Sequence, residues 1–424
     1  MSKPASHSLP GLHDIFRAVT SNGITVLARA NTNSPSIALG GFFQAGSLFD
    51  SDEKLGLADF TAAALMRGTT RRDFYEIHDS LESIGAGLGF SSGARTTTFS
   101  GRALAEDLPL IFELLADALR TPTFPLEYVE RLRTQLLTGL AIREQDTGDR
   151  AGMAFDEIIY ANHPFRRPDD GYPETIQAIQ REDLVRFQQR HYGPRGMVLS
   201  VVGAIEPLQV LEMVERFLGD WQNPYQPPYP VLPALQPLDS ITRRHVPVTG
   251  KSQTDLMIGC HGPARLADDY FAVSLANSVL GQFGMMGRIG DAVRERSGLA
   301  YYAYSSLSAG METGTWDISA GINPANLEKA IDLILKEVAQ FVENGVTAEE
   351  LRDSQDNFVG RLPLSLESNG GVANALLNIE RYQLGLDYYQ NYEERIRAIT
   401  PEDVLQAIRR YLHPERLAII TAGS

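Results

Sequence analysis

The sequence predicts an α+β protein built from two homologous halves, each a largely antiparallel sheet with helices packed on one face. Three observations lead there. Residues 176–203, IQAIQREDLVRFQQRHYGPRGMVLSVVG, and residues 396–423, IRAITPEDVLQAIRRYLHPERLAIITAG, align without a gap at a constant offset of 220, with eight of the 28 pairs identical. A match of that length is a structural unit written twice. Alternating apolar segments come in groups and are followed by groups of helical segments, the order of an α+β chain rather than of regular βαβ units. Finally, WQNPYQPPYPVLPALQPLDS at 221–240 holds six prolines, which neither a helix nor a central strand accommodates. The expected organisation is an N-terminal half at 1–220, a stiff proline-rich linker at 221–240 and a C-terminal half at 241–424.

The elements follow in order. NGITVLARAN and SPSIALGGFFQAGS read as strands, and GLADFTAAALMRG as a helix of small apolar residues with one acid, Asp59. RTTTFSGRAL returns to a strand, and LPLIFELLADALRT to an amphipathic helix. The second half repeats the outline with strand SQTDLMIGCHG, helix DDYFAVSLANSVLGQF, strand GTWDISAGIN and helix NLEKAIDLILKEVAQFVENG. Each copy of the repeat closes its half with a Glu-Asp helix start, an amphipathic helix, a proline-marked turn and an apolar strand.

Composition excludes several classes of function. Hydrophobic residues make up 43% and charged residues 21% of the 424, ordinary for a chain with a sizeable core and no long disorder. With 38 Lys and Arg against 53 Asp and Glu, a net charge of -15, nucleic acid is not an expected partner. No apolar run approaches the ~18 residues of a membrane span, and MSKPASHSLPGLHDIF lacks the apolar core of a secretory signal. A single cysteine, Cys260, precludes an internal disulfide framework. Together these read as a cytoplasmic chain, with the periplasm also compatible.

The chemistry-bearing residues are sparse. Of the eight histidines (His7, His13, His78, His163, His191, His245, His261 and His413), no two lie three to five residues apart, so a helical or turn-type zinc pair is absent. Cys260 and His261 are neighbours on a predicted strand and point to opposite faces, which favours a buried thiol over a joint ligand. GQFGMMGRIG carries Gly284, Gly287 and Gly290 between two helical segments without a phosphate-binding lysine. It reads as a flexible connection, not a nucleotide loop. In DAVRERSGLAYYAYSSL, a helix over 288–296 stops at Gly298 and a strand follows, which places Arg294 in the last turn and Tyr301 at the strand entrance. From spacing, two readings stand: Arg294 complements the helix dipole while Tyr301 packs in the sheet, or the pair donates hydrogen bonds to a carbonyl oxygen or oxyanion.

GLADFTAAALMRGT, GAGLGFSSGARTTTFSGRAL, HPFRRPDDGYPETIQAI and VRERSGLAYYAYSS together resemble the pitrilysin, insulysin and mitochondrial processing peptidase family of zinc peptidases, over nearly the whole chain. In that family the helix matching GLADFTAAALMRGT carries His-x-x-Glu-His, two zinc ligands and a water-activating glutamate. Here the three positions are Asp59, Ala62 and Ala63, and QLLTGL at 135–140, where the third ligand would fall, holds no carboxylate. Glu144 lies beyond it and is not a candidate. The resemblance also implies an Arg and a Tyr seven residues apart that bind substrate and stabilise the tetrahedral intermediate, here Arg294 and Tyr301. It therefore implies a chain that binds no metal and acts with a homologous partner bearing His-x-x-Glu-His and zinc, on a peptide added to a sheet edge, for which SSGARTTTFSG is the expected counterpart. The alternatives are a structural subunit, like the core proteins of the respiratory cytochrome complex, and a peptide-binding protein without catalysis.

Overall fold

The repeated segment supplies an interior strand to each of two mixed sheets. The computed structural model describes residues 9–282, 284 and 287–424. His7, and Phe283, Met285 and Met286 of the glycine-rich segment, lie outside the described residues. The first sheet contains β1 (Phe16–Val19), β2 (Thr25–Ala30), β3 (Ser36–Phe43), β4 (Gly87–Ser92), β5 (Thr97–Leu104) and β6 (Val198–Gly203), in the order β1-β2-β6-β3-β5-β4. The second contains β7 (Thr242–Pro247), β8 (Thr254–Gly262), β9 (Ala300–Ser308), β10 (Gly314–Ile322) and β11 (Ala418–Gly423), in the order β7-β11-β8-β10-β9. Every pairing is antiparallel except β2 with β6 and β7 with β11. The sheets share one connectivity, and the first has β1 added at its margin.

The repeat keeps its register in three dimensions. Helices Arg181–His191 and Pro401–Tyr411, like β6 and β11, are displaced by the same 220 residues. The shared aspartate explains the common helix start. Asp183 accepts the backbone N–H of Gln180 and Asp403 that of Thr400, each at 2.8 Å, satisfying donors that a helix N-terminus leaves free.

Packing departs from the sequence expectation at these central strands. VLSVVG and AIITAG are buried at every position, which requires cover on both faces of the sheet. The second layer is exchanged between the halves of the sequence. Helix Asn369–Arg381 packs on β6 and β3, and helix Thr147–Ile159 on β11 and β8. One compact unit accordingly comprises 1–140, 168–231 and 363–390, and the other 141–167, 232–362 and 391–424. These units cut across the boundaries expected from chain order, while their division at Val231/Leu232 falls inside the proline-rich segment. Helices thus flank the central strands on both faces, not on one. Among the described residues, no helix is long and apolar enough to cross a membrane.

Candidate functional site

The corner of the second unit that carries Arg294 and Tyr301 begins at helix Tyr270–Gly281. Gly284 and Gly287 take φ values of +62° and +64°. At Gly287 a Cβ would also lie 2.6 Å from the nitrogen of Gly281 and 2.7 Å from the carbonyl oxygen of Val279, so conformation and close approach both demand glycine. Gly290 differs from the expected connection: it belongs to the helical turn Gly287–Gly290, with φ -61°. Arg288 anchors that turn with two hydrogen bonds to Glu350, at 2.7 and 2.6 Å, and lies over the Phe341 ring.

The helix then widens into a π-turn at Asp291–Glu295, in which the N–H of Arg296 donates to Asp291 at 2.8 Å. Such turns change the direction of a side chain without ending the helix. The stop is Gly298, left-handed at φ +60°, whose N–H donates to the carbonyl of Arg294 at 2.9 Å. The expected helix stop is therefore present. The chain passes directly into β9, a margin of the sheet with one free edge.

Tyr301 occupies a break in the β9 ladder. Tyr302 pairs with Gly321 and Ala300 with Ile322, so Tyr301 is an extra residue with no partner on β10. This is a β-bulge, which re-aims one side chain. Its effect follows from the alternation downstream. Ala303 and Ser305 are fully buried, and unbroken alternation would turn Tyr301 inward with them, into space fit for alanine. The bulge rotates it out, to 85% exposure. Arg294 is half-exposed with the Glu295 carboxylate at 3.7 Å, and its π-turn packs against β9. A guanidinium and a phenol thus stand at the entrance of a free strand edge, both able to donate to a carbonyl oxygen.

In the first unit, helix Leu57–Ala64 is held at its start by Asp50, whose carboxylate accepts the N–H groups of Gly56 at 3.0 Å and Ala58 at 3.1 Å. The helix packs against β4, and Asp59 accepts the backbone N–H of Ser92 there. Burial, followed by the negative charges of Asp170 and Asp169, pushes the Asp59 carboxyl up to about 6. Ala62 is 1% exposed and Ala63 packs against the core. Glu144 is committed to Arg150 at 2.6 Å. Asp59, Ala62, Ala63 and 135–140 offer one carboxylate where zinc needs three or four donors, so these residues do not fit the metal that the resemblance attaches to this helix. Among the described residues, no group of three or more His, Cys, Asp and Glu side chains is arranged to hold a metal ion. The expected edge segment SSGARTTTFSG spans two strands: Ser91 and Ser92 end β4, which has the free edge, and Thr97–Gly101 lie in β5, between β3 and β4.

Cys260 and His261 do face opposite ways. The Cys260 thiol donates to the carbonyl of Tyr411 at 3.3 Å beneath the helices, and burial pushes it up to about 12. His261 instead meets the carbonyl of Gln236 at 3.2 Å. The sequence reading missed the bulge, the π-turn, and two residues behind Tyr301, Tyr302 and Asp255. One signal was present: two adjacent tyrosines in AYYAYSSL, of which the first falls on the phase of small buried residues.

The chain folds as two units whose sheets repeat one connectivity. Residues 25–168 match the insulinase (peptidase family M16) model and residues 178–358 the peptidase M16 inactive domain; the chain belongs to the peptidase M16 family. It is 25% identical to an uncharacterized zinc protease of Streptomyces coelicolor, over 95% of this chain and 88% of that protein. A crystal structure of a peptidase M16 inactive domain from Pseudomonas fluorescens superposes with a TM-score of 0.90 at 26% identity, covering 97% of this chain and 98% of that one. A protease from Helicobacter pylori shares the fold, with a TM-score of 0.88 at 18% identity over 98% and 100% of the two chains.

Proposed function

We propose that this chain is the non-metal-binding subunit of a heteromeric zinc peptidase, and that its partner is a homologous subunit bearing His-x-x-Glu-His. The observation that carries this reading is Tyr301, turned out of a β-bulge on a free strand edge seven residues after Arg294. A core tyrosine has no use for that conformation. A peptide whose scissile carbonyl oxygen reaches the pair receives an O–H donor from Tyr301 and N–H donors from Arg294. As water adds to the carbonyl carbon, that oxygen gains negative charge and both hydrogen bonds strengthen, which lowers the barrier more than it tightens ground-state binding. Zinc held by the partner would supply the activated water.

A second reading is peptide binding without catalysis, favoured by the free backbone edge of β9, a strand on which Tyr301 and Tyr304 are both exposed. One experiment separates the two. The chain is co-expressed with a His-x-x-Glu-His homologue from the same source, and metal content and peptide cleavage are measured for each subunit alone and for the pair. The expected result is zinc in the partner and cleavage by the pair only. Stoichiometric zinc and cleavage in the isolated chain would overturn the proposal.

A further inference from the structure

A bulge on a marginal strand has a neighbouring strand on one side only, so something else must fix its shape. Here the restraint reaches across two strands. The ring of Tyr302, the residue after the bulge, crosses β10 where Gly321 leaves room: a Cβ at Gly321 would lie 2.6 Å from Tyr302 Cε1 and 2.5 Å from Gln253 Nε2. Beyond that glycine, the Tyr302 hydroxyl donates to Asp255 Oδ1 on β8 at 2.6 Å. Asp255 is buried, and its carboxylate is shared. Gln253 donates to Oδ1 at 3.0 Å, and the Thr147 hydroxyl donates to Oδ2 from the first turn of helix Thr147–Ile159.

The opposite face of β9 is fixed as well. Ser305 donates to Asn277 on helix Tyr270–Gly281 and accepts the indole N–H of Trp316 at 3.1 Å. From Tyr302 onward the strand is therefore held on both faces, and Tyr301 is the first residue beyond the restraint. Burial, then the bond to Asp255, raises the Tyr302 pKa above its ordinary value, so the phenol remains the donor at neutral pH. An exposed margin offers water to any tyrosine hydroxyl. A bond to a buried carboxylate two strands away, over a glycine, is a more specific arrangement than packing requires.

We infer that Tyr302 and Asp255 are positioning residues: their hydrogen bond across Gly321 fixes the bulge, and with it the direction in which Tyr301 presents its hydroxyl to substrate. This rests on the proposed role of Tyr301 as a donor. Tyr302→Phe removes one hydroxyl and keeps the ring. Gly321→Ala displaces the ring and keeps the hydroxyl. Asp255→Asn preserves an acceptor and serves as the conservative variant.

The test has two readouts. Amide hydrogen exchange on the isolated chain is expected to rise about tenfold at 300–303 in Tyr302→Phe and Gly321→Ala, with β8 and β11 unchanged and Asp255→Asn close to wild type. In the reconstituted pair, cleavage of a quenched fluorogenic peptide is expected to lose about tenfold in kcat with KM nearly constant, and Tyr302→Phe is expected to add nothing once Tyr301→Phe is present. Wild-type exchange at the bulge, exchange that rises across the whole sheet, or losses that add in the double variant would each overturn the inference. If Tyr301→Phe alone leaves kcat intact, the proposed function fails, and the exchange measurement still decides whether Tyr302 and Asp255 hold the bulge.

Discussion

The corners at the free edges of β4 and β9 have the same connectivity and opposite characters. In each, a helix follows an inner strand, a second helical segment ends at a left-handed glycine, and a marginal strand begins: Gly85 at φ +65° before β4, Gly298 at φ +60° before β9. The first corner is regular. Its second helix, Phe74–Glu82, starts in a capping box of Asp73 and Glu76, β4 pairs with β5 without a break, and Asp59 takes up the N–H of Ser92. The second corner carries two irregularities, a π-turn at Arg294 and a bulge at Tyr301. On the proposed function, duplicated topology does not carry the chemistry. Local departures from regular backbone do, because they turn side chains out of the packing pattern that alternation imposes.

The largest expected effect is on that asymmetry itself. Tyr301→Phe and Arg294→Ala should each lower kcat/KM of the reconstituted pair about 100-fold or more, the range for loss of one oxyanion donor. Thermal unfolding of the isolated chain should hardly change, since Tyr301 is exposed. Steady-state kinetics with wild-type cleavage in either variant would erase the distinction between the corners.

Converting the first corner should fail for reasons of packing. Ala62→Glu places a carboxylate where 1% exposure leaves no room or solvent, and should cost about 3 kcal/mol of stability in urea unfolding. Metal analysis of the variant should find no stoichiometric zinc.

The two units also share a titration. Burial pushes both Asp59 and Asp317 up to about 6, from an ordinary 3.8. Folding favours the protonated form, so the stabilisation is complete below pH 3.8 and is lost as pH rises through about 6. Asp59→Asn should therefore be more stable than wild type by roughly 2 kcal/mol at pH 8 and equal to it at pH 3.5, as followed by unfolding across that range.

The smallest expected effect is the most diagnostic. Gly85 and Gly298 have open space around a prospective Cβ, so alanine at either costs only the left-handed conformation, about 1 kcal/mol. Gly298→Ala should also reduce cleavage by the pair, and Gly85→Ala should not. Equal effects of the two on cleavage would mean that the stop before β9 has no special part in placing Arg294 and Tyr301.

Much of this was legible in the chain. The offset of 220 residues located one helix and one strand in each copy to the residue, because caps and turns are local chemistry: Asp183 and Asp403 close their boxes within three residues. That Asp59, Ala62 and Ala63 hold a single carboxylate among them was legible directly, since alanine has no side-chain lone pair in any fold. Less legible were long-range events. β6 and β11 announced by their unbroken apolar runs that both faces were covered, yet not that Asn369–Arg381 and Thr147–Ile159 would do the covering.

Residue identity and local periodicity thus settle which elements form and which side chains could act, since these depend on interactions a few residues apart. Which strand has a free edge, which helices exchange between the halves of the sequence, and whether Tyr301 faces core or solvent depend on pairings across more than a hundred residues in the first two cases and on one unpaired residue in the third. A bulge follows from the fit of β9 to β10 and from Tyr302 reaching Asp255 over Gly321, and no window of sequence contains those partners together.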